Sequence, residues 1–137
     1  MLIPKKVKHR KWQKGRSRRR KTETRGVTLS FGGFGLQALE NGWVSSKQIE
    51  AARKTISHFT KRGGKVWMRI FPDKPITRRP PETTMGGGKG SVEYYAFPVR
   101  VGRIIFEIDG LSKEIAKEAL RRAGHKLPVK TRIVSKA

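Results

Sequence analysis

The sequence predicts a single α+β domain in which two helices pack on a mostly antiparallel sheet. It also predicts an extended basic N-terminal arm and one long loop rich in Gly and Pro. Several segments alternate apolar and polar residues, which is typical of half-buried strands, and two segments repeat apolar residues every three or four positions, which is typical of helices. Leu, Ile, Val and Phe together number 32 of the 137 residues, enough for one modest core.

The folded part begins after an arm of 25 residues. Residues 27–31 alternate apolar and polar side chains, which predicts a strand. The motif FGGFGL at 31–36 follows, and its three glycines permit tight backbone bends. Residues 36–39 are a second short strand candidate, ended by the turn signal Asn41-Gly42.

The first helix is predicted to begin after Ser45. Ser45 and Gln48 have the spacing of a capping box, and Gly63-Gly64 supplies a glycine suited to the C′ position at the end. One face is apolar and is assigned to the core: Ile49, Ala52, Ile56 and Phe59. The other faces are almost entirely basic, which favours contact with phosphate and makes Arg53 and Lys54 candidate RNA-binding residues.

The rest of the chain predicts four more strands and a second helix. Residues 65–71 have apolar or aromatic side chains on both faces, which indicates a central strand. Residues 92–99 and 103–108 are predicted to pair as a hairpin around Val101-Gly102, with Pro98 near the turn or on an edge. The second helix begins at its N-cap Ser112 and ends at Gly124, with four inward side chains: Ile115, Ala119, Leu120 and Ala123. Residues 129–134 are the predicted final strand.

The charge of this chain divides into two parts. There are 33 basic and 10 acidic residues, a formal charge of +23, and residues 1–25 hold 12 of the bases with one acid. The arm lacks the apolar residues for a core, so alone it should be extended or disordered and should order against a partner. Because the body at 26–137 is basic as well, nucleic acid is the predicted partner. A membrane surface is disfavoured because the arm has no coherent apolar face.

Several function classes are excluded or disfavoured. The absence of cysteine removes disulfides, Cys-based zinc sites and thiol nucleophiles. No apolar stretch is long enough to span a membrane, and no secretory signal is visible, although an organellar transit peptide stays an alternative for the arm. The three histidines lack metal-ligand spacing, and Asp73 and Asp109 are interpreted as turn formers. We therefore predict no enzyme, no metal, no cofactor and no small-molecule substrate.

Residues 72–91 form the predicted functional loop. They contain four prolines and four glycines with no apolar periodicity. The piece MGGGKGS at 85–91 resembles a nucleotide-binding loop in composition but not in spacing, because Lys89 is followed by Gly90 rather than by Ser or Thr. Its backbone amides and Lys89 can instead approach a phosphate of folded RNA.

Motifs along the whole chain resemble one family. They are MLIPKKVKHRKWQKGR at the start, FGGFGL, QIEAAR at 48–53, KVWMRIFPDKPIT at 65–77, MGGGKGSVEYY at 85–95 and AGHKLPVKT at 123–131. Together they resemble bacterial large-subunit ribosomal protein sixteen, which shares its fold with archaeal and eukaryotic counterparts. The resemblance implies an α/β-hammerhead-like domain on the large ribosomal subunit, bound to its rRNA, close to the aminoacyl-site tRNA and beside other ribosomal proteins. It also implies a cytoplasmic, ribosome-bound bacterial protein, or one from an organellar ribosome.

The resemblance and the charge pattern together give the candidate site residues. Arm cations expected to neutralise rRNA phosphates are Lys5, Lys6, Lys8, Arg10, Lys11, Lys14, Arg16, Arg18, Arg19, Arg20 and Lys21. Loop residues expected beside rRNA and tRNA are Lys74, Arg78, Arg79, Thr84, Met85, Gly86, Gly87, Gly88, Lys89 and Gly90. The family commonly has arginine where this chain has Thr84 and lysine where it has Gly87, so the loop tip carries two fewer cations. The alternative is a DNA-binding architectural protein, which should present base-reading side chains that neither helix offers.

Overall fold

The computed structural model describes residues 2–12, 22–78, 86 and 88–136. The chain there forms seven strands and two helices. In order they are β1 (Phe34–Ala38), β2 (Gly42–Ser45), α1 (Ser46–Phe59), β3 (Lys65–Met68), β4 (Lys74–Arg78), β5 (Ser91–Val99), β6 (Ile104–Asp109), α2 (Lys113–Gly124) and β7 (Thr131–Ser135). The α+β class is confirmed.

The strands form two antiparallel sheets rather than the single sheet that we predicted. One has the order β3-β6-β1-β7 and the other β2-β5-β4. The buried side chains of both sheets and both helices belong to one core, so the chain is a single domain. α1 contacts α2, β2 and β5, whereas α2 also contacts β1 and β7.

The predicted hairpin of β5 and β6 is wrong, because the two strands lie in different sheets. The turn residues bond to the β1–β2 connection instead of closing a hairpin. The Val101 N–H donates to Asn41 Oδ1 at 2.8 Å, and the Gly102 N–H donates to the Ala38 carbonyl at 2.9 Å. The strand pattern identified both strands, but it does not encode which sheet each one joins. Pro98 lies near the end of β5, opposite Trp43.

The segment 27–31 is not a strand, contrary to prediction. It lies across β1 and β6, with Leu29 over Gly35, and two glycines of FGGFGL permit this close approach. A Cβ on Gly35 would lie 2.4 Å from Leu29 Cδ2, and a Cβ on Gly32 would lie 2.5 Å from the Ile108 carbonyl oxygen. The glycines therefore serve close packing. Neither of these two has a positive φ.

The strand predicted at 65–71 is shorter and lies at an edge. β3 ends at Met68 and pairs with β6 alone, so it is an edge strand. Its one aromatic side chain, Trp67, is half-buried, and Phe71 lies beyond the strand. The predicted loop is also shorter, because β4 forms at Lys74–Arg78 and pairs with β5. Pro75 is tolerated there because β4 is an edge strand.

Helix α1 begins as predicted and ends differently. Ser45 and Gln48 form the reciprocal capping box. The C-cap is Thr60, and the left-handed position after it belongs to Lys61, with φ +53°, rather than to a glycine. The Lys61 N–H donates to the His58 carbonyl and the Arg62 N–H to the Ser57 carbonyl, which is the Schellman pattern. Two cations thus occupy a turn where glycine is usual.

Helix α2 follows its N-cap Ser112 and ends at Gly124, as predicted. One inward assignment is wrong: Ile115 is 43% exposed, and Ala116 is buried in its place. The predicted final strand is confirmed as β7. No helix in the described part of the chain is long and apolar enough to cross a membrane.

Candidate nucleic-acid interface

The arm presents a row of cations to solvent. Lys5, Lys6, Lys8 and Arg10 are exposed, and Lys11 is half-buried. Among the described arm residues, Leu2 alone packs against the core, and the segment from residue 3 to residue 10 carries four exposed cations. The two aliphatic side chains of this segment, Ile3 and Val7, are exposed.

The arm and the glycine-rich loop hold each other by a reciprocal pair of hydrogen bonds. Lys11 Nζ donates to the Lys89 carbonyl at 3.1 Å, and Lys89 Nζ donates to the Trp12 carbonyl. Both bonds use backbone carbonyls, so neither ammonium loses its charge. The pair brings two residues 78 positions apart to one place and joins the arm cations and loop cations that we predicted separately.

Lys74 lies near Lys89 and, unlike the exposed cations of the arm, is buried. The residue is 6% exposed, and its Nζ lies 4.2 Å from the centroid of the Trp43 ring. Burial lowers the pKa of the Lys74 ammonium, and the nearby charge of Lys89 lowers it further. The indole face stabilises a cation that has lost hydration. Contact of Lys74 with RNA stays a prediction.

The loop tip stands apart from the body at the positions that the structure describes. A Cβ built at Gly86 or at Gly88 would meet no atom within 4 Å. Both backbones have positive φ, at +101° and +89°, which favours glycine. Near the base of the loop, Arg78 Nη1 lies 3.5 Å from Glu93 Oε1, and both side chains are exposed, so this ion pair contributes little to stability.

A second cationic surface lies where α1 meets the edge strand β3. An open cleft of about 550 Å³ separates them. It is lined by Arg53, Lys54, Ser57, His58, Thr60, Arg62, Gly63, Gly64, Val66 and Met68, a set without a carboxylate. Arg53 also forms an ion pair with Glu50, whose hydrogen bond raises the pKa of the guanidinium and lowers that of Glu50. Lys54, Lys61 and Arg62 are exposed.

The C-terminal end of the arm is fixed to the body by Glu23 and Arg103. The Glu23 N–H donates to the Val101 carbonyl at 2.9 Å, and Glu23 Oε2 lies 3.9 Å from Arg103 Nη1. The Arg103 guanidinium donates to the carbonyls of Arg25 and Arg69, at 3.4 and 2.9 Å, and lies over the Phe97 ring. The arm therefore leaves the domain from a defined point.

A buried carboxylate organises the surface formed by segment 27–31. Glu107 is fully buried, and its Oε1 accepts the backbone N–H groups of Ser30, Phe31 and Gly32 at 2.8, 2.9 and 3.0 Å. Its Oε2 forms an ion pair with Arg69. Burial alone would raise the pKa of Glu107, but the three backbone donors and Arg69 together hold this pKa below its usual range.

The structure brings some of the predicted residues together and leaves others undescribed. Arm residue 11 and loop residue 89 meet, whereas Arg53 and Lys54 lie on the separate α1 surface. Ten of the predicted site residues lie outside the described residues: Lys14, Arg16, Arg18, Arg19, Arg20, Lys21, Arg79, Thr84, Met85 and Gly87. Within the described ranges, no group of three or more His, Asp or Glu side chains could hold a metal ion.

Sequence reasoning missed Glu107 and Arg103 as organising residues. Glu107 had a signal, because it is the single charged residue in the apolar run 104–108 and such a residue is buried only when its oxygens are bonded. Arg103 had none, since an arginine after a turn is ordinarily solvated. What the described residues offer for binding is a set of exposed cations and aromatic faces.

Comparison with known protein families supplies one match. The family model described as ribosomal protein L16p/L10e matches residues 4–134, which is nearly the whole chain. The matched range includes the arm from Pro4, both sheets, both helices and the loop.

Proposed function

The chain belongs to the L16p/L10e family of ribosomal proteins, and on that premise we propose that it binds the rRNA of the large subunit through its arm and its α1 surface. That family is a structural, non-enzymatic one, and membership supports a structural constituent of the large ribosomal subunit. The proposal adds which surfaces meet rRNA. The ribosome would be that of a bacterial cytoplasm or of an organelle.

One observation carries the proposal: the exposed cations of the arm lie between two attachment points. Leu2 packs against the core on one side of these cations, and Lys11 and Trp12 bond to Lys89 on the other. A tail that only confers solubility needs no such attachments. Held in place, the arm can give rRNA a fixed set of phosphate contacts, which set the register of a protein on its nucleic acid.

The α1 surface extends the same chemistry to the body. Its cations line an open cleft without a carboxylate, and the turn that carries Lys61 and Arg62 adopts a left-handed backbone at two non-glycine residues. Such a conformation is uncommon for long side chains. A cleft of this kind suits the shape and phosphates of folded RNA, which proteins recognise largely without reading base edges in duplex regions.

The loop around Lys89 is proposed to lie beside the aminoacyl-site tRNA. The described glycines of the tip stand clear of the body, and Lys89 is held by the arm at the base of this projection. A glycine-rich projection with few side chains can bring its backbone close to a second RNA.

Photo-crosslinking on ribosomes tests the two parts separately. A benzophenone side chain would replace Lys8 on the arm or Ser91 at the loop base, both of which are exposed. We expect the Lys8 position to crosslink to rRNA alone, and the Ser91 position to crosslink to rRNA and, on ribosomes loaded with aminoacyl-site tRNA, to tRNA. Absence of rRNA crosslinks from both positions would contradict the proposal. Absence of the tRNA crosslink alone would remove only its second part.

A further inference from the structure

An exposed aromatic surface lies beside the buried carboxylate of Glu107. The rings of Phe31 and Trp67 stack with centroids 5.8 Å apart and planes inclined by 18°. The Arg69 guanidinium carbon lies 5.2 Å from the centroid of the Phe31 ring. We call these three residues the aromatic platform.

The geometry leaves part of the Phe31 ring open. Trp67 lies opposite Glu107 in the β3–β6 pairing, and Arg69, two residues later, continues that pairing through its N–H bond to the Ile105 carbonyl. Residues two apart along a strand share a face of the sheet, so Trp67 and Arg69 both approach Phe31 from the same face of β3. Phe31 nevertheless stays 55% exposed, so ring surface is left open to solvent.

The aromatic platform is held in place before any ligand binds. The Phe31 N–H and its two neighbours donate to Glu107 Oε1, and Arg69 is tied to Glu107 Oε2. The carboxylate therefore positions the backbone of Phe31 and the guanidinium beneath its ring from a single buried point. Because the stack needs no ordering when a ligand arrives, the entropic cost of binding is reduced.

The charges around the platform suit an anionic partner. Lys65 shares the strand face of Trp67 and is exposed, and Arg25, also exposed, has its carbonyl bonded to the same Arg103 guanidinium as the Arg69 carbonyl. Two acids lie on β6 opposite these residues. Asp109 pairs with Lys65, and Glu107, which pairs with Trp67, is fully buried. Exposed cations thus lie on both chain segments that meet at the platform: Lys65 on β3, and Arg25 just before segment 27–31.

We propose that the open face of Phe31 stacks against an unpaired base of RNA, with Arg25 and Lys65 contacting the adjoining phosphates. The inference rests on the proposed rRNA function and adds a subsite for a single-stranded nucleotide to surfaces that otherwise contact phosphate. Aromatic side chains hold unpaired bases in this way, and the stacking tolerates any base because each one has a π face.

The test compares two short RNA strands with the full-length protein. One is a 12-nucleotide oligoadenylate, and the other has the same backbone with tetrahydrofuran spacers replacing its four central nucleosides. We expect the protein to bind the base-bearing strand more tightly by about 5- to 150-fold, the range for one stacked base. Phe31→Ala should remove that preference and leave the slope of log affinity against log salt unchanged, because no phosphate contact is lost.

Two variants control for folding and for general hydrophobicity. Phe31→Tyr keeps a ring and should keep the preference, whereas Phe31→Leu keeps apolar volume and should lose it. Phe71→Ala, at another exposed aromatic position, should behave like the unaltered protein. Equal binding of the two strands by the unaltered protein, or a preference that survives in Phe31→Ala and Phe31→Leu, would overturn the platform assignment while rRNA binding persists. Failure of the unaltered protein to bind rRNA would instead refute the proposed function.

Discussion

Replacing the buried Glu107 with alanine should lower the free energy of unfolding more than any other single substitution that we propose. The change leaves three backbone N–H groups and the Arg69 guanidinium without their shared acceptor. Removing one partner of a buried ion pair costs about 3–5 kcal/mol of unfolding free energy. For a domain of this size we expect the melting temperature to fall by roughly 10–20 °C.

Glu93→Ala is the matched control for this prediction. Glu93 also faces an arginine, but both side chains are exposed, so its loss should cost less than about 1 kcal/mol. Chemical denaturation of the two variants, read by far-UV circular dichroism, makes the comparison. Similar midpoints for Glu107→Ala and the unaltered protein would show that Glu107 does not organise this part of the fold.

The same carboxylate predicts how stability depends on pH. The pKa of Glu107 in the folded protein lies below its value in the unfolded chain, about 4.3. Its contribution is therefore complete above that unfolded value and is lost as the pH falls through the folded pKa. Glu107→Ala should flatten the acid limb of a stability–pH curve below pH 4, whereas Glu93→Ala should leave most of that limb in place.

Removing the arm's charge should produce the largest change in RNA affinity. Binding of the full-length protein to rRNA should weaken by about 10³–10⁵ between 50 and 200 mM salt if the arm makes roughly 6–10 phosphate contacts. Substituting glutamine for the five arm cations that precede residue 12 should lower the slope of log affinity against log salt by about 3.5–4.5, since each contact contributes about 0.7–0.9. These cations are Lys5, Lys6, Lys8, Arg10 and Lys11.

A variant with the same net charge separates the arm from charge in general. Glutamine would replace five exposed lysines of the α2 and β7 side of the body: Lys113, Lys117, Lys126, Lys130 and Lys136. Filter binding of both variants to one rRNA transcript over a salt series gives the two slopes. The arm assignment requires the larger fall in the arm variant, and an equal fall in the two variants would contradict it.

The sequence was most informative where one local rule decides the outcome. The capping box of Ser45 and Gln48, the apolar stripe of α1 and the presence of strands β5 and β6 are set by neighbours within a few positions, and each was found in the structure. Where the partner lies far along the chain, the same reasoning failed. The turn at Val101-Gly102 resembles a hairpin turn. The Val101 N–H nevertheless donates to Asn41, 60 positions away, and β5 and β6 lie in different sheets.

The candidate site shows the same division. Charge counting predicted the arm and the α1 surface, because a run of cations is visible without knowing the fold. The aromatic platform could not be predicted, since it joins a ring from segment 27–31 to β3 through a carboxylate 76 positions from Phe31. The strand pattern even pointed the other way: Trp67 and Phe71 suggested a central strand, whereas β3 is an edge strand that ends before Phe71, and Trp67 stacks on Phe31.

Competition between folded RNA and duplex DNA tests the central claim, that this protein binds rRNA in preference to other polyanions. The full-length protein would be bound to a labelled transcript of large-subunit rRNA at 150 mM salt and challenged with unlabelled transcript or with duplex DNA of equal phosphate concentration. We predict that the transcript displaces the label and that DNA requires at least roughly tenfold more phosphate, because nonspecific electrostatic binding is weaker than binding that also fits shape. Equal displacement by DNA would contradict the account and favour an architectural DNA-binding protein.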